Sequence, residues 1–152
     1  TPFQWEPQDT IESLKEKQKH LQQKLKRKGL TYNWHDPELS YMEAVFSRGD
    51  RRLSKVLIRA WELGCKFDSW DQCFRYDLSM KAFNDFGLDP DFYTIRKRDF
   101  DEVMPWNHID VGVTDKYLKK EYEKALKGET TRDCRINCTG CGINMLQEGG
   151  IC

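Results

Sequence analysis

Three cysteines stand within eight positions near the carboxyl end, in the run Asp133-Cys134-Arg135-Ile136-Asn137-Cys138-Thr139-Gly140-Cys141-Gly142, and Cys152 is the last residue. Spacers of three and then two residues let a loop fold back so that its thiolates converge, because Gly140 and Gly142 permit the positive backbone angles of a tight wrap. Amides exposed in such a nest hydrogen-bond to sulfur and lower its basicity. Thiolate is the soft ligand of zinc and of iron-sulfur clusters. Structural zinc takes four ligands, and no histidine follows Cys134, so the fourth would be Cys152, beyond Gly149-Gly150. An iron-sulfur cluster can leave one iron open to a non-protein ligand. The spacing therefore predicts an iron-sulfur cluster on Cys134, Cys138 and Cys141. The alternatives are a zinc ion with Cys152 as fourth ligand, and thiols that are free or form disulfides. Arg132 and Arg135 beside Cys134 favour thiolate and offset a cluster's negative charge.

A second group of reactive types lies in Met104–Val113, where Trp106, His108 and Asp110 are candidates to line a cleft; the competing reading of His108 is a packing residue. Between residues 11 and 28 seven cations (Lys15, Lys17, Lys19, Lys24, Lys26, Arg27 and Lys28) face two carboxylates, Glu12 and Glu16. That run reads as a solvated helix face whose cations suit a helix C-terminus. Phosphate or RNA contact is the alternative, and the helix carries no aromatic residue on which bases would stack. Cys65 and Cys73 sit among aromatic residues and read as buried structural thiols.

Positioning these residues falls to a polar chain. Of its 152 residues 33% are charged and 38% hydrophobic, and 25 basic residues balance 25 acidic ones. No global field recruits nucleic acid or an anionic membrane. No apolar run approaches the roughly 20 residues of a membrane span, and Thr1-Pro2-Phe3-Gln4-Trp5 is not a signal peptide. A cytoplasmic setting with reduced thiols is expected. The chain opens without an initiator Met, which suggests a piece of something longer.

The predicted elements are mainly helical. Thr1–Pro7 reads as an extended segment with Phe3 and Trp5 on one face. Asp9 with Glu12 resembles a capping box for a helix bearing Ile11, Leu14, Leu21 and Leu25, closed by Gly29. Leu30, Tyr32 and Trp34 alternate as in a short strand. Asp36 and Pro37 open a helix with Leu39, Met42, Val45 and Phe46 inward. Gly49 stops it and Asp50 caps a third, with Leu53, Val56, Leu57, Ala60 and Trp61 at helical spacing up to Gly64. Asp68 caps a stretch through Cys73 and Phe83 to Gly87, broken near Tyr76-Asp77. Asp89-Pro90-Asp91 starts a short helix. Thr114 caps the last, with Tyr117, Leu118, Tyr122, Ala125 and Leu126 apolar and Gly128 as its stop, and this helix anchors the cysteine loop on one side only. The fold class is thus mainly α: a helical array with one short N-terminal strand or extended segment and an irregular Cys-rich C-terminal loop.

Five runs in order, Thr1-Pro2-Phe3-Gln4-Trp5, Trp34-His35-Asp36-Pro37, Glu43-Ala44-Val45-Phe46-Ser47-Arg48-Gly49-Asp50-Arg51-Arg52, Pro105-Trp106-Asn107-His108-Ile109-Asp110 and the Asp133-Cys134 loop, resemble the C-terminal region of a large radical SAM family. Its members commonly carry a cobalamin-binding-like N-terminal domain. The resemblance covers nearly the whole chain. It implies that residues 1–35 are the end of the barrel region plus a basic helix, 36–128 a helical extension, and 129–152 a cluster- or metal-binding tail. The loop's spacing is that of the radical SAM motif itself. That motif, however, follows the first strand of a barrel of roughly 200 residues, and eleven residues follow Cys141. S-adenosylmethionine is accordingly expected only in the full-length enzyme, and the terminal loop is read as an auxiliary site that relays an electron or holds substrate. The family's loop often has one more residue between its first two cysteines and a further cysteine after the third, where Asn144 stands here. The implied partners are the rest of the protein's own radical SAM barrel and a substrate of unknown identity, with Phe3, Trp5 and Trp34 exposed as the mark of that missing neighbour. The rival function is a non-catalytic, zinc-stabilised helical module that binds RNA or a protein partner.

Overall fold

Three of the six α-helices among the described residues start on a single side-chain oxygen. The computed structural model describes residues 1–145. Thr10 accepts a hydrogen bond from the Ser13 amide at 3.2 Å and opens α1, Ile11–Lys24. Asp36 accepts from the amides of Glu38 (2.8 Å) and Leu39 (3.0 Å), and with Pro37 in the first turn it opens α2, Pro37–Ser47. Each bond satisfies an amide that has no partner inside the helix. Then come α3, Leu53–Leu63, α4, Tyr76–Asp85, and α5, Asp91–Thr94. Thr114 accepts from the Tyr117 amide and opens α6, Asp115–Leu126; a single 3₁₀ turn, Ile143–Met145, follows later. No β-strand occurs among the described residues.

Two compact units emerge. In Pro7–Arg96 the core takes Tyr41, Met42 and Val45 from α2, Leu53, Val56 and Ala60 from α3, Ala82 and Phe83 from α4, and Tyr93 from α5. These positions recur at three- and four-residue spacing, so each helix turns one stripe inward. α3 packs on α4, α2 on α5 and α1 on α2. Gly49 is a steric requirement: a Cβ there would stand 2.1 Å from Leu53 Cδ1 and 2.9 Å from the Val45 carbonyl oxygen. Gly64, at φ 107°, closes α3 in the left-handed region.

The other unit joins Thr1–Glu6 to the chain from Lys97 onward. Trp5, Met104 and Tyr122 are its buried centre, with Trp106 and Leu118 against them. The Arg98 amide donates to the Trp5 carbonyl at 2.9 Å, and the Trp5 ring meets Phe100 edge-on at 4.9 Å. Tyr122 donates its hydroxyl to Glu6, and Lys97 Nζ lies 2.9 Å from both that hydroxyl and Glu6 Oε1.

Five local expectations are corrected. Thr1–Pro7 is two successive turns, closed by Gln4 N to Thr1 O and Glu6 N to Phe3 O, so Phe3 is 52% exposed while Trp5 is 2% exposed. The cap of α1 is Thr10, because Asp9 instead takes the Ser13 hydroxyl at 3.3 Å and Lys17 Nζ at 2.5 Å. α1 ends at Lys24, not Gly29: none of its residues is fully buried, and packing rather than propensity sustains most helices. Residues 68–73 are turns and a bend, closed by Trp70 N to Phe67 O and Cys73 N to Trp70 O, so the helix expected from Asp68 begins only at Tyr76. Tyr32 and Trp34 do share one side, with rings stacked at 5.4 Å, but the segment pairs with no other strand among the described residues.

Candidate functional site

The cysteine loop leaves α6 at Gly128, which takes φ 69°, and is fastened twice on its way. Thr131 Oγ1 donates to Glu121 Oε2 at 2.5 Å and accepts from Lys124 Nζ at 2.8 Å. Those bonds, the Thr131 hydroxyl first and Lys124 next, hold the Glu121 carboxyl below its ordinary range. At the far end the Thr114 amide donates to the Cys141 carbonyl at 2.9 Å, and the Thr114 hydroxyl donates to the same oxygen at 3.3 Å. The residue that caps α6 thus also receives the end of the loop. Gly142 is dictated by that approach: at φ 104°, a Cβ would stand 2.7 Å from Thr114 Cγ2 and 3.0 Å from the Gly112 carbonyl oxygen. The expectation of an anchor on one side only is therefore wrong, because α6 holds the loop near both of its ends.

Inside the clamp, Asp133 accepts from the Arg135 amide and takes its guanidinium in a forked pair. This pair keeps the Asp133 carboxyl below its usual range and directs the Arg135 cation to a carboxylate. Cys134 and Cys138 are exposed and Cys141 is half-buried. Among the described residues no three His, Cys, Asp or Glu side chains stand together as an ion would need them, so the three sulfurs are not gathered on one point. Cys152 lies outside the described residues.

Trp106, His108 and Asp110 occupy an irregular stretch. Trp106 is half-buried and its indole N–H donates to Gln4 Oε1 at 2.7 Å. The Ile109 amide returns to the Trp106 carbonyl in a turn. His108 and Asp110 are exposed, and Asp110 accepts from the Gly112 amide at 2.8 Å. No hydrogen bond links the three side chains. Cys65, as expected, is buried, and burial pushes its thiol up, whereas Cys73, expected to be buried too, is only half-buried.

A site without a motif lies in Pro7–Arg96. There a cavity of about 690 Å³ is walled by Ile11, Tyr41, Tyr76 and Met80, with Glu12 and Asp91 among its polar groups. The Tyr41 hydroxyl donates to Asp91, and the two tyrosine rings meet edge to face at 6.4 Å. Burial first, and then the neighbouring carboxylates, raise both phenols above their ordinary range. Both rings therefore keep their protons in an electronegative hollow. Its walls come from four helices, and the sequence marked Ile11, Glu12, Tyr76 and Asp89-Pro90-Asp91 only as parts of helices, their starts and their breaks.

No helix among the described residues is long and apolar enough to cross a membrane. No family model, no curated protein and no solved structure matches the chain.

Proposed function

We propose that the chain is the C-terminal part of a radical SAM iron-sulfur protein whose terminal loop holds an auxiliary cluster or metal ion on Cys134, Cys138 and Cys141. The five sequence runs support the parentage. The observation that carries the site is the double clamp: Glu121 and Lys124 fix Thr131, Thr114 fixes Cys141, and the cysteines fall between or at those fixed points. Closing a loop whose ends are already held costs less chain entropy than closing a free tail. Three soft donors suit iron or zinc, and the left-handed turns at Gly140 and Gly142 give the backbone the curvature that ligation needs. The donor chemistry fits, whereas the sulfurs stand apart before ligation, so the ion or cluster itself would draw Cys134 and Cys138 toward Cys141. A cluster here would supply an electron relay or an open iron for substrate; S-adenosylmethionine belongs to the rest of the protein.

Anaerobic purification followed by iron, sulfide and zinc analysis tests this reading. Iron and sulfide in equal amounts are expected, lost in Cys138→Ser with the helical circular dichroism unchanged. Stoichiometric zinc without colour refutes the cluster and keeps a metal site, and a protein that takes up neither metal refutes both. Cys152→Ser shows whether the last residue is a ligand.

A further inference from the structure

α1 carries four lysines against two glutamates. α1 has no fully buried residue, and a groove of about 340 Å³ runs along it, lined by Leu14, Lys17, Gln18 and Leu21 and by Tyr32 and Trp34 of the segment that follows. Gln18 holds that segment in place by donating to the His35 carbonyl at 2.8 Å. The rings of Tyr32 and Trp34 are stacked, with centroids 5.4 Å apart and planes inclined by 22°. Trp34 is nevertheless 53% exposed. Tyr32 thus covers one part of the indole and leaves a flat aromatic surface open to another π-face.

Lys17 is the lysine among the groove's lining residues, and cations outnumber carboxylates along α1 and the turn that follows it. Lys15 pairs with Glu38, and Lys17 pairs with Asp9. Lys19, Lys24, Lys26, Arg27 and Lys28 have no ion-pair partner among the described residues, and no carboxylate lines the groove. The Lys26-Arg27-Lys28 run precedes the aromatic pair in the chain, where the Leu30 amide closes a turn back onto the Arg27 carbonyl. Unneutralised cations beside an open aromatic ledge are the two ingredients of single-strand recognition: phosphates meet the cations, and unpaired bases stack without sequence preference. The helix itself has no aromatic residue; the fold brings two to its side.

We propose that this ledge binds single-stranded nucleic acid, with a base stacked on Trp34 and the backbone phosphates on Lys24, Lys26 and Lys28. A duplex is the poorer ligand because its bases are already stacked. Protein partners with an apolar face would also seek Trp34, but they would make no use of five unpaired cations.

The test is fluorescence anisotropy with a labelled single-stranded RNA ten-mer, repeated across a salt series, with heparin as a polyanion that has no bases. The parent chain is expected to bind with log affinity falling linearly in log salt. Trp34→Ala should weaken ten-mer binding roughly ten- to a hundredfold while leaving heparin binding and the salt slope in place. Trp34→Phe should restore most of the loss. The combined Lys24→Ala, Lys26→Ala and Lys28→Ala variant should flatten the slope by about two. Ten-mer affinity unchanged in Trp34→Ala, equal losses for ten-mer and heparin in that variant, or no binding at low salt would each overturn the proposal. None of these readouts involves the cysteines, so the outcome is independent of the metal analysis.

Discussion

Ten buried side chains form one cluster in Pro7–Arg96, nearly all of them delivered by helical stripes. In the unit built from Thr1–Glu6 and the chain after Lys97, the described buried cluster is Trp5, Met104 and Tyr122. The first unit is held by apolar area, which is non-directional and hard to undo at one point. The second relies on a few aromatic edges and on polar clips: Tyr122 with Glu6 and Lys97, Trp106 with Gln4, Thr131 with Glu121, and Thr114 with Cys141. Regions with few buried apolar contacts open at lower free energy, and the cysteine loop is placed in such a region.

The sharpest way to break the contrast is in the larger core. Phe83 is fully buried, and Phe83→Ala should cost about 3–5 kcal/mol, read as a lowered urea midpoint of the helical signal. A cost near zero would mean that the cluster does not support the unit. In the other unit Tyr122→Phe keeps the ring contacts with Trp5 and Phe100 and removes only the shared hydroxyl. About 1–2 kcal/mol is expected, seen as earlier loss of near-ultraviolet circular dichroism. The smallest effect concerns acid. The Tyr122 hydroxyl first, and then Lys97, hold Glu6 below its ordinary value of 4.5. A carboxyl whose folded pKa is depressed contributes stability above its unfolded value and loses it as pH falls through the folded one. Tyrosine and tryptophan signals of this unit should thus change as the pH drops below about 4.5, and Glu6→Gln should weaken that change. An identical acid profile in the variant would show that the clip contributes nothing.

Legibility followed distance along the chain. Asp36 with Pro37, Thr114, Gly64 and Gly128 were read correctly as starts and stops, because a cap acts on amides or carbonyls within one turn of itself. The inward stripes of α2 and α3 were read correctly at Met42, Val45, Leu53, Val56 and Ala60, whereas Phe46, Leu57 and Trp61 on the same helices are exposed. Periodicity shows that a stripe exists, but how wide it is depends on what lies opposite. Thr1–Pro7 failed for a similar reason: alternation suggested one face for Phe3 and Trp5, yet Trp5 finds Phe100 and Tyr122, about a hundred residues away, and the chain turns to reach them.

The candidate site divides the same way. Residue type and spacing alone marked Cys134, Cys138 and Cys141 as donors and Lys15 to Lys28 as a basic run. The clamp from Thr114 to Cys141, the tyrosine-walled cavity and the Trp34 ledge beside α1 joined residues that no local pattern connects. Composition and spacing set which helices form and which side chains have reactive chemistry, since both depend on interactions within a few residues. Which of those side chains are covered, clipped or left open was decided by contacts between distant segments, whose free energy exists only once the chain has folded.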